Sequence, residues 1–379
     1  MYQQQQQRGS YPLDNFYSNC PLPSPPHSDL LTSYKSHLTS SLSPPLGKST
    51  KKKSSNVIPA QTVQSFPYSY IRNQFLTFAL DQHGSRLIQH HLSYPTNSIL
   101  STITEDCIPH LMALSTDVFG NYIVQKILTL TSSLAEPIVS FLRENIVALC
   151  KDQYGCRVIQ ASFCHPQMLT LLAAELNEKG ELKNMLTHVN GNHVVQKIVM
   201  LCGPNSHGLI EILQENIKTL CKDQYGCRVV QRMVEGGCSD GMEWDIEACM
   251  NHQYGNYIIQ HLLSYGSPDS RDRIFAVMSR FGLINLCQRK YSSNIVEKLL
   301  LHGSEDQVNS LLNLLASRGA HGDYNCVKLV QDPYGNYVVR KATETHGGAE
   351  IQEILISNIE AFKGNAYAKR VLAKLESSI

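Results

Sequence analysis

The 379-residue chain has little of what marks a membrane, secreted or disulfide-rich protein. It contains one tryptophan, and no apolar run approaches the ~20 residues of a membrane-spanning helix. Its first residues, rich in glutamine, lack the basic-then-apolar order of a secretory signal. We therefore expect a cytoplasmic protein with no membrane-embedded segment.

Cysteine pairs with metal-binding spacing are also absent. None of the 12 cysteines forms a Cys-x-x-Cys pair. Several instead recur at fixed places in a repeat: Cys150 and Cys221 end one segment, and Cys156 and Cys227 open the next. We expect these to be small reduced residues, and we expect no metal site and no cofactor.

The chain has almost no excess of either charge. Its formal net charge is +1, and residues 1–60 hold six Lys/Arg against two Asp/Glu, which leaves −3 for the remainder. A nucleic-acid-binding domain usually has a basic surface. Nucleic-acid binding would therefore require the cations to be concentrated on one face.

The first 62 residues differ in composition from the rest. Gln, Ser, Pro and Tyr dominate, and no helical or strand period is present, which predicts a disordered low-complexity region. The basic run Lys51-Lys52-Lys53 is interpreted first as a solvated linker, with a weak RNA-contacting arm or an import signal as alternatives.

The remainder of the chain contains eight copies of one motif, such as residues 117–126. The copies begin at Gly84, Gly120, Gly155, Gly191, Gly226, Gly255, Ser292 and Gly335. The steps between them are 36, 35, 36, 35, 29, 37 and 43 residues. Such a period is typical of a solenoid of stacked helical units.

Each unit reads as an amphipathic helix such as residues 136–149, a capped turn, and a motif helix. Capping candidates are Asp117, Asp152, Asp223 and Asp332. Because Ser292 replaces the glycine once, we expect that position to need small size rather than positive φ. The prediction is an all-α fold over residues 63–379: a right-handed α-solenoid of eight ~36-residue repeats forming a curved crescent, closed by capping half-repeats at residues 65–79 and 351–375.

On a helical wheel the motif has an apolar side and a polar side, which we expect to be exposed. The polar side carries the first, second and fifth residues after the opening Gly or Ser. We call the first and fifth residues the edge pair and the second the stacking residue. The edge pairs are Ser85 with Gln89, Asn121 with Gln125, Cys156 with Gln160, Asn192 with Gln196, Cys227 with Gln231, Asn256 with Gln260, Ser293 with Glu297, and Asn336 with Arg340. The stacking residues are Arg86, Tyr122, Arg157, His193, Arg228, Tyr257, Asn294 and Tyr337.

These residue types match the edges and faces of nucleobases. Residues one turn apart lie ~6 Å apart along the axis, which suits two contacts on one base edge, and flat side chains between them suit stacking. The carboxylate of Glu297 matches the two donors of guanine. A glutamine with Ser or Cys suits adenine, and a glutamine with Asn suits the smaller uracil. Arg340 departs from this pattern because it can only donate: to a base carbonyl, to O6 and N7 of guanine, or to a phosphate.

A cation follows the edge pair in five repeats. These residues are Lys126, Lys197, Arg232, Lys298 and Lys341. They are interpreted as a phosphate-contacting track, with solvated flanking residues as the alternative.

Taken together, the eight motifs resemble those of the Pumilio/PUF family of RNA-binding proteins, over about residues 63–379. The resemblance implies a concave face that binds single-stranded RNA antiparallel to the protein, so that repeats 1 to 8 read A, U, A, U, A, U, G and U from the 3′ end. The implied element is UGUAUAUA. The resemblance also implies a monomer on 3′ untranslated regions that recruits deadenylation and repression factors through its outer face or loops.

Three other functions fit the sequence less well. A HEAT- or armadillo-type protein scaffold has no reason to alternate Asn with Ser or Cys while keeping Gln. An enzyme is disfavoured because Cys156 and Cys227 share their repeat position with Ser and Asn. A PUF-like ribosome-assembly protein without base preference would have degraded edge pairs, which these are not.

Overall fold

The computed structural model describes residues 67–131, 134–203, 208–239 and 242–376. Residues 1–62, for which the composition predicts disorder, lie outside these ranges. The chain divides into two compact units, Met1–Thr102 and Ile103–Ile379. Regular structure in the described ranges is helical apart from one isolated antiparallel bridge between Arg318 and Tyr324. The all-α prediction is confirmed.

The first unit contains motif helix 1, Gln82–His91, preceded by the short helices Tyr68–Arg72 and Phe75–Ala79. The three helices pack on one another through buried side chains such as Ile71 and Ile88. The two short helices lie in the stretch predicted to be the opening half-repeat.

The second unit contains the other seven motif helices, each packed against the next along the chain. Motif helices 2 to 8 are Gly120–Leu130, Gly155–Ser162, Gly191–Cys202, Gly226–Glu235, Gly255–Tyr265, Ser292–His302 and Gly335–Glu344. Consecutive packing of equivalent helices defines an α-solenoid, as the repeat period predicted.

Further helices connect the motif helices and supply the rest of the core. They are Asn97–Cys107, Leu111–Ser115, Glu136–Glu144, Ile146–Lys151, Pro166–Glu178, Leu182–Leu186, Leu209–Leu220, Ile246–Met250, Pro268–Phe281, Leu283–Cys287, Glu305–Ala316, Asn325–Leu329, Ala349–Ser357 and Lys369–Glu376, with 3₁₀ turns at Ile108–His110 and Ile359–Ala361.

The expectation of one continuous helix over residues 136–149 is wrong. Asn145 interrupts it with φ −104° and ψ 10°, and its side-chain amide donates to the carbonyl of Phe141 at 2.9 Å. The Asn side chain thus satisfies a carbonyl at the end of the first helix, and a second helix starts at Ile146.

The glycine that opens the motif is required for close approach, as predicted. A Cβ on Gly120 would lie 2.9 Å from Cα of Leu114, and none of the motif glycines has positive φ. Ser292 is accommodated because its hydroxyl donates to the carbonyl of Leu286 at 2.9 Å. The motif helix can therefore sit against the preceding helix only with a small opening residue.

Candidate nucleic-acid interface

In every repeat except repeat 7, where Arg289 takes this place, the turn before the motif helix is held by an acceptor three residues before the opening glycine. Oδ1 of Asp117 accepts from the backbone N–H groups of Phe119 and Gly120 at 2.8 and 2.7 Å. Asp152, Asp223 and Asp332 make the same pair of bonds, which confirms the predicted caps. The first turn of the helix, where the edge pair begins, is thereby fixed.

Two histidines fill the same place, a role that sequence reasoning missed. Nδ1 of His188 accepts from the N–H groups of Asn190 and Gly191 at 3.2 and 3.1 Å. His252 does the same for repeat 6 at 3.2 and 3.3 Å. An imidazole accepts at Nδ1 only in the neutral form with its proton on Nε2. The constant spacing to the glycine was the signal that could have identified both.

The expectation that the whole polar side is exposed is wrong for the first member of the edge pair. These side chains are at most 4% exposed in all eight repeats. Each lies in the first turn of its helix, beneath the preceding loop, so a helical wheel alone does not reveal its burial. The structure therefore gives this position a packing role in addition to any contact with a ligand.

Asparagine at this position makes a complete set of hydrogen bonds in repeat 4. Its amide nitrogen donates to the carbonyls of His188 and Val189 at 2.7 and 2.9 Å. Its Oδ1 accepts from Nε2 of Gln196 at 2.7 Å. Both N–H groups of Asn192 are thus used, so its remaining influence on a ligand acts through the glutamine that it holds.

The same Asn-to-Gln bond recurs in repeats 2 and 6, at 2.7 and 2.9 Å. It fixes which end of the glutamine amide faces inward. One N–H of Gln125 or Gln260 points to the asparagine, which leaves its second N–H and its Oε1 for a ligand. A donor beside an acceptor matches the N3–H and a neighbouring carbonyl of uracil.

Repeats with cysteine hold their glutamine differently. Nε2 of Gln160 donates to the backbone carbonyl of Cys156 at 3.0 Å. Oε1 of Gln231 accepts from Arg228 at 3.4 Å, while its Nε2 is buried with no hydrogen-bond partner in the described residues. A buried unpaired donor costs about 1–3 kcal/mol. The N1 acceptor of adenine would satisfy it.

The thiols in these edge pairs are neutral at physiological pH. Burial raises the pKa of Cys156 and of Cys227 to about 11. Their Sγ atoms face backbone carbonyls of the preceding turn, those of Gln153 and Gln224. A thiol, rather than a thiolate, occupies the position that asparagine fills elsewhere.

Repeat 7 presents a carboxylate in place of the glutamine. Glu297 is half-buried, and burial raises its pKa, opposed by the charges of Arg340 and Lys341. No described residue hydrogen-bonds to its carboxylate, which leaves both oxygens for a ligand. In repeat 8, the Nε–H of Arg340 is buried without a partner in the described structure and can only donate.

The stacking residues are exposed or half-buried in every repeat. One consecutive pair lies close together: the Arg228 guanidinium is 5.6 Å from the ring centroid of Tyr257. Partial burial and the charge of Arg157 lower the pKa of His193, which keeps its ring neutral for stacking. Their role in base stacking stays a prediction.

Among the five cations predicted to form a phosphate track, Arg232 and Lys341 each form an ion pair with a carboxylate of the same helix. Arg232 pairs with Glu235, which also lies 3.0 Å from His261. Lys341 pairs with Glu344 at 3.0 Å, and the two lysines near Glu344 lower its pKa to about 2. These carboxylates neutralise part of the predicted positive track.

A metal centre and a membrane-spanning helix are both absent from the described ranges. Within them, no group of three or more His, Cys, Asp or Glu residues is arranged to hold a metal ion. None of the described helices is both long and apolar enough to cross a membrane.

A sequence profile for the Pumilio-family RNA binding repeat matches the chain eight times. The matches are residues 74–103, 110–134, 145–166, 184–206, 216–240, 246–279, 284–316 and 325–359. The chain belongs to the Pumilio family of RNA-binding repeat proteins. The eight matches contain the eight edge pairs.

Individual Pumilio proteins are similar at moderate identity. Pumilio homolog 12 of Arabidopsis thaliana is 27% identical over 326 residues, covering 81% of this chain and 53% of that protein. Fem-3 mRNA-binding factor 1 of Caenorhabditis elegans is 27% identical over 271 residues, covering 60% of this chain and 44% of that protein. The chain spans about half the length of these curated relatives.

Solved Pumilio structures share the fold. PUF-8 in complex with PBE-RNA matches with a TM-score of 0.71 and 26% identity, covering 92% of this chain and 99% of that one. The Puf3 RNA-binding domain bound to a Cox17 RNA 3′ UTR recognition site matches with a TM-score of 0.74 and 26% identity, covering 83% and 98%.

Proposed function

We propose that this protein binds a UGUAUAUA-like element in single-stranded 3′ untranslated regions of mRNA, with each motif helix contacting one base. The observation that carries the proposal is the orientation of the edge-pair amides. In repeats 2, 4 and 6 the asparagine leaves each glutamine with one donor and one acceptor for a base. That combination fits uracil.

The edge pairs of the other repeats fit the remaining bases of the element. Glu297, with both carboxylate oxygens available and Ser293 small beside it, suits the N1–H and N2–H donors of guanine. Gln231, with its unpaired buried donor, suits adenine. Repeats 1 and 3 have the same kind of pair, and Arg340 in repeat 8 donates to a uracil carbonyl. Read antiparallel to the protein, this gives UGUAUAUA.

The biological outcome follows from the location of such elements. A protein that holds a 3′ untranslated region and recruits deadenylation and repression factors lowers translation and mRNA stability. Support comes from relatives whose names state mRNA binding and from Puf3 bound to a 3′ UTR sequence. We propose that this chain acts in the cytoplasm as a monomer on RNA, with protein partners on its outer face or loops.

The first experiment measures binding of the full chain to labelled UGUAUAUA and to ACAAUAUA at fixed salt, because phosphate contacts make affinity salt-dependent. A misread base costs ~1–3 kcal/mol, so the altered RNA should bind several kcal/mol more weakly. Equal affinity for both RNAs would refute base reading and leave a charge-driven binder or a protein scaffold.

A substitution in repeat 7 tests the assignment of a single base. Glu297→Gln gives repeat 7 the Ser-with-Gln pair of repeat 1, so preference at the second base should move from G to A. Glu305→Gln, the same change on the non-motif helix Glu305–Ala316, should leave the preference for G intact. If Glu297→Gln still prefers G, the edge pair does not determine the base.

A further inference from the structure

Glu235 places a negative charge on the side of motif helix 5 that carries the edge pair and the stacking residue. Measured around the helix axis from Cys227, Gln231 lies at about 40° and Arg228 at about 100°, and Glu235 lies between them at about 80°. It follows Gln231 by one turn, ~6 Å along the axis. The carboxylate therefore lies on the surface to which the proposed function assigns the RNA.

The carboxylate of Glu235 is held by two neighbours and is ionised. Its Oε2 accepts from Nη1 of Arg232 on the same helix, and its Oε1 lies 3.0 Å from Nδ1 of His261 on motif helix 6. Burial alone would raise the pKa of Glu235, but the hydrogen bonds from His261 and Arg232 outweigh burial and lower it. The side chain thus carries its full charge at physiological pH.

Both neighbours of Glu235 occupy the position predicted to contact phosphate. Arg232 and His261 directly follow the edge pairs of repeats 5 and 6, where repeats 2, 4, 7 and 8 have lysine. With His261 neutral, the charges of Arg232 and Glu235 cancel. Repeats 5 and 6 together therefore present no net positive charge to a phosphate at this position.

The fold does not require an acid at this place. One turn after the cation, repeats 2, 4 and 7 have Thr129, Met200 and Leu301, and all three form the same kind of motif helix. Repeat 8 alone repeats the arrangement of repeat 5, with Glu344 3.0 Å from Lys341. The carboxylate is thus an addition to the motif, made where it faces the predicted phosphate track.

An acid beside the track acts on one part of RNA binding only. Phosphate contacts give an affinity that is independent of base sequence, whereas hydrogen bonds to base edges give the preference among sequences. Glu235 cancels a cation and repels phosphate, and it makes no hydrogen bond to the edge pair of its own repeat. Its charge therefore weakens the first contribution and leaves the second in place.

We propose that Glu235 limits the base-independent part of RNA binding, so that stable binding requires the base contacts. This inference deepens the proposed function and rests on it. A track of uncompensated cations would hold any single-stranded RNA, whereas the neutral pair in repeats 5 and 6 keeps RNAs that lack the element weakly bound.

The test compares the wild-type chain with Glu235→Gln on UGUAUAUA and on ACAAUAUA at several salt concentrations. Glutamine keeps the size of the side chain and an oxygen that can accept from Arg232. Both RNAs should bind about twofold to tenfold more tightly, by the same factor, because a like charge ~7 Å from a phosphate is removed. The slope of log affinity against log salt should steepen by at most ~0.7, the share of one phosphate on a single strand.

The reverse change adds an acid where the motif has none. Thr129→Glu places a carboxylate one turn after Lys126, on an exposed position of motif helix 2. Both RNAs should bind about twofold to tenfold more weakly, again by the same factor. Glu215→Gln is the matched control for charge, because Glu215 is exposed on the non-motif helix Leu209–Leu220, and it should leave both affinities unchanged.

If Glu235→Gln binds the two RNAs no more tightly than wild type, or if only UGUAUAUA gains, the inference is wrong. An unchanged affinity of Thr129→Glu would contradict it independently, without touching the bonds of Glu235. Failure of the proposed function has a different signature: wild type itself would then bind UGUAUAUA and ACAAUAUA equally well.

Discussion

Replacing Asn192 with cysteine should convert repeat 4 from a uracil to an adenine reader. The change removes the bond from Gln196 to Asn192 and gives the repeat the Cys-with-Gln pair of repeats 3 and 5. The glutamine amide then loses its bond to the position-1 side chain and can donate only to the backbone, as Gln160 donates to the carbonyl of Cys156. A glutamine N–H and its Oε1 can then face N1 and the N6 amino group of adenine, and the smaller thiol leaves room for a purine.

The magnitudes follow from the hydrogen bonds that Asn192 makes. It loses two donations to turn carbonyls and one acceptance from Gln196. At ~0.5–1.5 kcal/mol net each, partly offset by a weak thiol donation, the free energy of unfolding should fall by about 2 kcal/mol. Wild type should prefer U at the fifth base by ~1–3 kcal/mol, and Asn192→Cys should prefer A there by a similar amount.

The assay is titration of wild type and Asn192→Cys with UGUAUAUA and with UGUAAAUA, which differ only at the fifth base, together with urea unfolding. Asn190→Cys is the matched control, because Asn190 lies in the same turn and donates to the carbonyl of Lys151 at 2.8 Å but is not in the edge pair. It should lose stability and keep the preference for U. If Asn192→Cys also keeps that preference, the asparagine does not control the glutamine.

Three further outcomes are expected. Burial raises the pKa of Glu297, and in the proposed complex guanine binds its ionised carboxylate. The affinity for UGUAUAUA should therefore be constant above this pKa and should fall as the pH drops through it. Glu297→Gln should remove this component of the pH profile. Gly120→Ala places a Cβ 2.9 Å from the Leu114 backbone and should lower the free energy of unfolding by about 1–3 kcal/mol. Gly364 has open space around it, so Gly364→Ala should change the free energy of unfolding by no more than about 0.5 kcal/mol, as surface substitutions usually do. His188→Asp gives repeat 4 the aspartate cap of repeats 2, 3, 5 and 8, whose hydrogen bonds are 2.6 to 2.8 Å long, whereas those of His188 are 3.1 and 3.2 Å. The charge of the aspartate at the helix N-terminus should add ~0.3–1 kcal/mol of stability and raise the melting temperature.

Much of the fold was predictable because the repeat period can be read directly from the sequence. The spacing of the opening glycines predicted the motif helices, and the apolar positions within them predicted the core. The need for a small residue followed from Ser292 alone. Helix ends were harder, because the backbone leaves the helical region at Asn145 in a stretch whose apolar pattern continues.

The site was predictable in its members but not in how they are held. A helical wheel places Asn192 opposite the apolar side, yet the preceding turn covers it, and a wheel contains no turn. His188 and His252 escaped notice because capping is usually sought in Asp, Asn, Ser and Thr.

The asparagine in the edge pair connects folding with recognition. Its bonds to the turn carbonyls contribute to helix stability, and its bond to the glutamine fixes the amide before any base arrives. The entropy lost in ordering that amide is therefore a cost of folding rather than of binding, which favours affinity through preorganisation. In repeats with cysteine the glutamine amide is held only by backbone or by Arg228. Repeats with cysteine should therefore gain more order on binding RNA than repeats with asparagine.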